Sequence, residues 1–184
     1  MNEELIPIPA GAELIADFVN TNELDEPDGE KLRDPDALGA WLGAHGLLPA
    51  GATVGGDDLE RALRVREALR KLLLANNGAP LDPDAVGELN RTADESRLRV
   101  SFDARGAASL VPEEEDVPGA LSRILAVAYT SMADESWNRL KACRLDDCQW
   151  AFYDQSKNRS RTWCSMKVCG NRAKARAYRE RQRA

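Results

Sequence analysis

The sequence predicts a mainly α fold with one small β-hairpin (α+β). A helical domain over residues 1–142 precedes a short cysteine module over 143–184. Three observations carry this. Apolar residues recur at helical spacing through most of the first 142 positions, with capping signals at the starts of the runs. The period changes once, to strand alternation, near residue 98. All four cysteines of the 184-residue chain lie in its last quarter, as Cys143-x4-Cys148-x15-Cys164-x4-Cys169. A hydrophobic share of 43% suffices for a core, and an aromatic share of 5% means that Leu, Ala, Val and Ile must build it.

The elements follow in order. Residues 11–20 read as a short helix with Leu14, Ile15, Phe18 and Val19 on one face, stopped by Asn20-Thr21-Asn22. The charged stretch 22–33, with Pro27 and Gly29, is a loop. Asp34-Pro35 is an N-cap followed by proline at N1, opening a helix that carries Leu38, Trp41 and Leu42 and ends near Gly43–Gly46. Asp57 or Asp58 caps a strong helix through Asn76, ended by Asn77-Gly78. Asp82-Pro83 repeats the capping signal for a helix to about Thr92. Leu98, Val100 and Phe102 then alternate with Arg99, Ser101 and Asp103, and residues 97–111 read as a hairpin turning at 104–107. A long helix is expected from about Pro118 to Lys141, leading directly into Cys143.

The net charge of −6 hides two opposite parts. Residues 143–184 hold eleven Lys/Arg against four Asp/Glu, a surplus of seven, and residues 1–142 hold 14 against 27. Such asymmetry suggests a polyanionic partner for the tail, or docking of the tail on its own acidic body. No run of about 18 apolar residues occurs, so no membrane span is expected. The opening residues lack a basic segment followed by an apolar one, so no secretory signal is expected and the cytoplasm is the default location.

Two cysteine pairs can each give a metal two corners of a tetrahedron, and four thiolates suit Zn²⁺. Two disulfides and an iron–sulfur cluster are the alternatives, the first disfavoured inside a cell. A closed four-thiolate site has no open coordination position, so the ion is structural. Between the pairs, Trp150, Phe152 and Tyr153 are strand-prone, 155–158 is turn-like, and 159–163 is expected to return as the second strand. Knuckle, hairpin and a final helix over 172–183 give the order of a treble-clef-like zinc finger. In that helix Arg172, Arg176, Arg179 and Arg183 share one face, widened by Lys174 and Arg181. Arg159 and Arg161 add charge, and these residues are the candidate nucleic-acid contacts, with DNA as the expected partner.

Cys169-Gly170-Asn171-Arg172 is the signature of the CGNR zinc-finger family, and the run Phe152 to Met166 with Arg172 to Arg176 resembles the rest of that module. The front of the chain resembles the domain usually paired with it, through Asp17-Phe18-Val19-Asn20-Thr21, Leu38-Gly39-Ala40-Trp41-Leu42 and Arg66-Glu67-Ala68-Leu69. The resemblance implies a bacterial protein of the kind described as a putative stress-induced transcription regulator. It implies one structural zinc held by Cys143, Cys148, Cys164 and Cys169. Gly170 is expected to allow close backbone approach, and Asn171 to cap the helix or orient a thiolate. Arg172 has two readings, a phosphate contact or an ion pair with an acid of the body.

Asp17, Asn20 and Thr21 gather at a helix end. With Arg66 they form a candidate patch for a small-molecule effector or a protein partner, against the simpler reading of helix termination. His45, the only histidine, reads as a helix-end cap. No phosphate loop, zinc-hydrolase helix or nucleophile elbow is present, so no catalytic residue is assigned and no enzyme is expected. The expectation is a two-part regulator binding DNA, with homodimerisation fitting paired half-sites. The alternative is a protein-interaction adaptor that uses the zinc finger without touching DNA.

Overall fold

The computed structural model describes residues 7–95 and 97–183; the reading of the opening residues 1–6 as lacking a leader lies outside them. The chain is 53% helical with two small antiparallel hairpins, the mainly α architecture that periodicity predicts. The helices are α1 (Ala10–Val19), α2 (Pro35–Ala44), α3 (Gly56–Asn76), α4 (Pro83–Glu95), α5 (Val117–Ala133) and α6 (Asn171–Arg183). The strands are β1 (Leu98–Phe102), β2 (Ala108–Pro112), β3 (Leu140–Ala142) and β4 (Ala151–Tyr153). No helix among the described residues is long and apolar enough to cross a membrane.

Local chemistry sets most helix starts. The Asp34 carboxylate accepts from the Ala37 amide at 2.8 Å, and Asp116 accepts from Gly119 at 2.8 Å, each followed by proline near N1. Asp82 accepts from the amides of Asp84 and Ala85. At α3 the expected cap is displaced: Gly55 is the N-cap, and Asp58 reaches back to accept its amide at 2.9 Å. Asp58 thus plays the returning partner of a capping box rather than the cap itself.

The main core lies among α1, α2, α3 and α5, where Ile15, Phe18, Leu38, Leu42, Leu69, Leu73, Leu121 and Ile124 are sealed from solvent. Burial of each such side chain contributes roughly 1.5–3 kcal/mol. Leu140, Ala142, Ala151 and Tyr153 of the β3–β4 hairpin join this same core. A smaller cluster holds Cys143, Leu145, Cys148, Phe152 and Cys169.

The structure departs from the sequence expectation in three places. The helix expected to run to Lys141 stops at Ala133; Glu135 takes a left-handed φ of 62°, and a 3₁₀ turn over Ser136–Arg139 buries Trp137 before β3 begins. Helix propensity does not oppose continuation there, but continuation would forgo both Trp137 burial and β3 pairing. The partner of β4 is β3, in the register Leu140↔Tyr153 to Ala142↔Ala151, and not the segment 159–163. That segment has its backbone bound elsewhere, the Arg161 amide to Asp154 and the Thr162 carbonyl to the Arg144 amide. The β1–β2 hairpin forms as read, but its apolar alternation does not face the core: Val100 and Phe102 are 59% and 69% exposed.

Candidate metal centre and nucleic-acid interface

The first cysteine pair sits in the tight connection between β3 and β4. The Cys143 amide donates to the Trp150 carbonyl at 3.0 Å, and the Cys148 and Gln149 amides both donate to Leu145. Gln149 closes the turn at φ 46°. Cys164 precedes a π turn, Met166–Gly170, that contains Cys169 and runs into α6. Ser165 accepts the Val168 amide, and the Gly170 amide donates to the Ser165 carbonyl at 3.0 Å. A β-carbon on Gly170 would come within 2.5 Å of the Met166 sulfur and 3.2 Å of the Trp163 ring, which is why glycine stands in the Cys-Gly-Asn-Arg signature here. The Asn171 side chain donates to the Lys167 carbonyl at 2.9 Å and so closes the π turn instead of touching a thiolate.

These loops bring the four Sγ atoms within 4.8 Å of one another. Three of the separations, Cys148–Cys164, Cys164–Cys169 and Cys169–Cys148, are 3.7, 3.6 and 3.6 Å. A tetrahedron with Zn–S bonds of about 2.3 Å has edges of about 3.8 Å, so the donor set matches zinc in number, softness and size. All four thiols are free of disulfides. Their electrostatics also call for a cation. Hydrogen bonds from the Cys148 and Cys164 thiols hold Cys143 down to about 2, and the same contact with Cys143 pushes Cys148 up to about 12. One thiolate in this cluster keeps its neighbours protonated, and a dication lets all four ionise. The residues fit one structural zinc ion, which supplies the module with cross-linking and no chemistry.

The cluster is bolted to the helical body by buried amides. Asn20, at the end of α1, donates to the Ala151 carbonyl at 3.0 Å and accepts the Ala151 amide at 2.8 Å. Asn76 donates to the carbonyls of Trp137 and Leu140, and Asn77 to those of Ala142 and Thr162, all at 2.8–2.9 Å. Arg70, 1% exposed, donates to the carbonyls of Val19, Asn22 and Gln149 and pairs with Glu67 at 2.8 Å. Within the module, Lys141 and Asp154 form a buried ion pair at 2.7 Å. Asp154 also accepts from Ser156 and the Arg161 amide, and the Lys141 ammonium also donates to the carbonyls of Arg159 and Arg161. Sequence reasoning missed Arg70, Asn76, Asn77 and this ion pair. The available signal was charged and amide residues on the same side of α3 as Leu69 and Leu73, at 66, 70, 76 and 77.

The expected basic residues divide in two. Arg172 pairs with Asp147 at 2.7 Å and with Asp25 of the 22–33 loop at 3.4 Å, and Arg176 also reaches Asp147 at 3.4 Å. Arg161 donates to the Cys164 carbonyl at 2.6 Å and lies 5.1 Å over the Phe152 ring. Arg159, at φ 52°, lies 4.0 Å from Glu135. These four serve internal contacts. Lys174, Arg179, Arg181 and Arg183 stand exposed on α6, a helix that buries no residue and packs on the cysteine cluster through Ala173.

The candidate patch at the end of α1 divides likewise. Thr21 donates to the Phe18 carbonyl and accepts from Arg66, which makes a paired contact with Glu30 at 2.6 and 2.7 Å and meets Glu67 at 2.9 Å. Burial works against the Glu67 charge, but its bonds to Arg70 and Arg66 outweigh burial and hold the carboxyl below its usual range. Asn20, Thr21 and Arg66 are therefore committed to the interior, and Asp17 alone of the four is exposed.

Two family models match this chain. The ABATE model, described as putative stress-induced transcription regulator, matches residues 12–135, and the CGNR zinc finger model matches residues 139–182. No curated protein matches.

Proposed function

From the premise that this chain belongs to the ABATE family, described as putative stress-induced transcription regulator, with a CGNR zinc finger over residues 139–182, we propose that it binds DNA through α6 while the helical part senses an effector. The family descriptions point to a regulator and away from an enzyme. One observation carries the DNA reading: α6 directly follows the ligand Cys169, presents Lys174, Arg179, Arg181 and Arg183 to solvent, and buries none of its side chains. A helix that meets the cysteine core only through the half-buried Ala173 and is held on a metal-braced base suits insertion into a groove of a polyanion. The first cysteine pair in the β3–β4 connection, the second pair and α6 are read here as treble-clef-like, with residues 143–184 as the module completed by β3, and the rest of 1–142 as the part that orients it.

The test is fluorescence anisotropy with labelled genomic DNA fragments, on protein of known zinc content, across a salt series. Four phosphate contacts give a slope of log K against log salt of about −3.5. Arg179→Glu with Arg183→Glu should abolish binding and leave zinc content and folding intact. Unchanged affinity in that variant rejects the reading.

A second reading has its own observation. Met166, Val168 and Tyr178 are each more than half exposed on the same module. An adaptor would use such apolar groups on a protein partner, and its complex would persist in salt that strips DNA.

A further inference from the structure

We infer that the cavity between the end of α1, α2 and the first cysteine loop is a binding site for a small organic cation, an ammonium group on a compact apolar body. It rests on the regulator reading only for its consequence, as the effector site of the helical part. The cavity has a volume of about 230 Å³, smaller than drug-sized sites, and suits a ligand of a few carbon atoms.

Three features of its lining select the ligand. Trp41 and Trp150 both line it, one from α2 and one from the loop after Cys148. Trp41 is held in place by stacking on His45 at 3.9 Å and by a tilted contact with Phe18 at 5.2 Å. Second, two neutral polar side chains of the lining, Asn20 and Thr21, are occupied. Both ends of the Asn20 amide serve Ala151, and the Thr21 hydroxyl serves Phe18 and Arg66, so neither is free to bind a ligand. Third, the charges do not cancel. Lys31 lines the cavity but is paired with Glu23, whereas Asp17 is exposed and has no ionic or hydrogen-bonded partner among the described residues. A cavity lined by an aspartate and two tryptophans attracts a cation by charge and by the ring quadrupoles together.

The placement of Trp150 gives the site a consequence. Its carbonyl accepts the Cys143 amide, and its neighbour Ala151 is the residue Asn20 holds. A ligand seated here touches the helical part and the metal loop at once.

Choline is the probe, with 3,3-dimethylbutan-1-ol as its uncharged isostere, titrated into full-length zinc-loaded protein while the four indole N–H signals are followed by NMR. Saturable shifts confined to the Trp41 and Trp150 signals, assigned with Trp41→Phe and Trp150→Phe, are expected. Affinity should fall about tenfold for the isostere, which loses the ring and carboxylate attractions together, and about two- to fivefold in Asp17→Asn, whose carboxylate is exposed, and survive in Asp17→Glu. Zinc stoichiometry and circular dichroism of Asp17→Asn check that it folds. No saturable shift up to about 20 mM, an affinity weaker than any site of this kind warrants, overturns the inference, as does equal binding of the isostere or undiminished binding by Asp17→Asn. The titration contains no DNA. Choline binding without DNA binding overturns the regulator reading alone, and DNA binding without choline binding overturns this inference alone.

Discussion

Asn20 pairs with Ala151 as a third strand would, its side-chain amide donating to the carbonyl at 3.0 Å and accepting the N–H at 2.8 Å across 131 positions of sequence. The bond pair lies in the interior and joins the end of α1 to the strand that follows the first cysteine pair. A planar primary amide holds a separate donor and acceptor side by side, matching a peptide N–H and C=O together, which suits asparagine to this position. The metal module is thus held by directional contacts, with Asn77, Asn76 and Arg70 repeating the device from α3.

Asn20→Ala should therefore cost about 1–3 kcal/mol, the penalty of stranding a buried amide and carbonyl, with little effect on zinc stoichiometry. Urea denaturation with a metal assay on the same sample measures both. A change under about 0.5 kcal/mol, the range of ordinary surface substitutions, removes Asn20 from the joint.

Arg70→Met keeps the volume and deletes four bonds at once. It leaves Glu67 with Arg66 alone and orphans the carbonyls of Val19, Asn22 and Gln149. Loss of one partner of a buried charged network costs about 3–5 kcal/mol. Glu67→Gln is the milder change, because its carboxylate is 40% exposed and Arg70 keeps its carbonyl partners. Equilibrium unfolding that ranks Glu67→Gln as the more damaging of the two contradicts this assignment.

The parts of the fold that sequence reveals are those made by neighbours. Asp34 and Asp82 act within three residues, the hairpin turn at 103–107 is closed by Asp103 on Arg105 and Ala107, and the cysteine spacing itself makes the two loops. What was hidden depends on distant backbone. Asn77 meets a carbonyl 65 positions away and Arg70 one 79 positions away, and a carbonyl carries no mark in the sequence. The end of α5 at Ala133 was hidden for the same reason, since Trp137 gains its burial from a core assembled elsewhere. Arg172 has two readings, a phosphate contact or an ion pair with an acid of the body, and it meets Asp25 of the body as well as Asp147 of the module. Of the arginine stripe expected on α6, the first two members, Arg172 and Arg176, face an acid of the module itself.

Zinc removal should loosen more than the cysteine loops. The metal ties Cys143 and Cys148 to Cys164 and Cys169, and the backbone around them is what Asn76, Asn77 and Arg70 hold. Structural zinc contributes on the order of 10 kcal/mol in small zinc peptides. One zinc per chain is expected by elemental analysis. Chelation should raise amide exchange at 140–169 and also at the end of α3. Exchange at 70–77 that ignores the metal would show that these bonds do not couple the two parts.

Acid should act first through Asp154 and Glu67. Burial opposes ionisation of Asp154, but bonds from Lys141, Ser156 and the Arg161 amide outweigh it, so its carboxyl sits below the usual value of 3.8. Glu67 sits below 4.5 because its bonds with Arg70 and Arg66 outweigh burial in the same way. A carboxyl depressed in the folded state contributes stability that is fully present above its unfolded value and is lost as pH falls through its folded one. Stability should hold from pH 7 to about 5 as far as these groups are concerned and decline below about 4.5, where the unfolded chain takes up protons first. Thiolate protonation releases zinc over part of the same range, so the diagnostic quantity is the difference between wild type and Asp154→Asn at each pH. At pH 7 that variant should be less stable by about 3–5 kcal/mol, because it leaves the Lys141 ammonium buried without its counter-charge. The difference should shrink as pH falls below the ordinary aspartate value, since the wild type then loses the same charge. Chemical denaturation at pH 7, 5, 4 and 3 measures it, and a difference constant across the series would mean that Asp154 is not the group titrating.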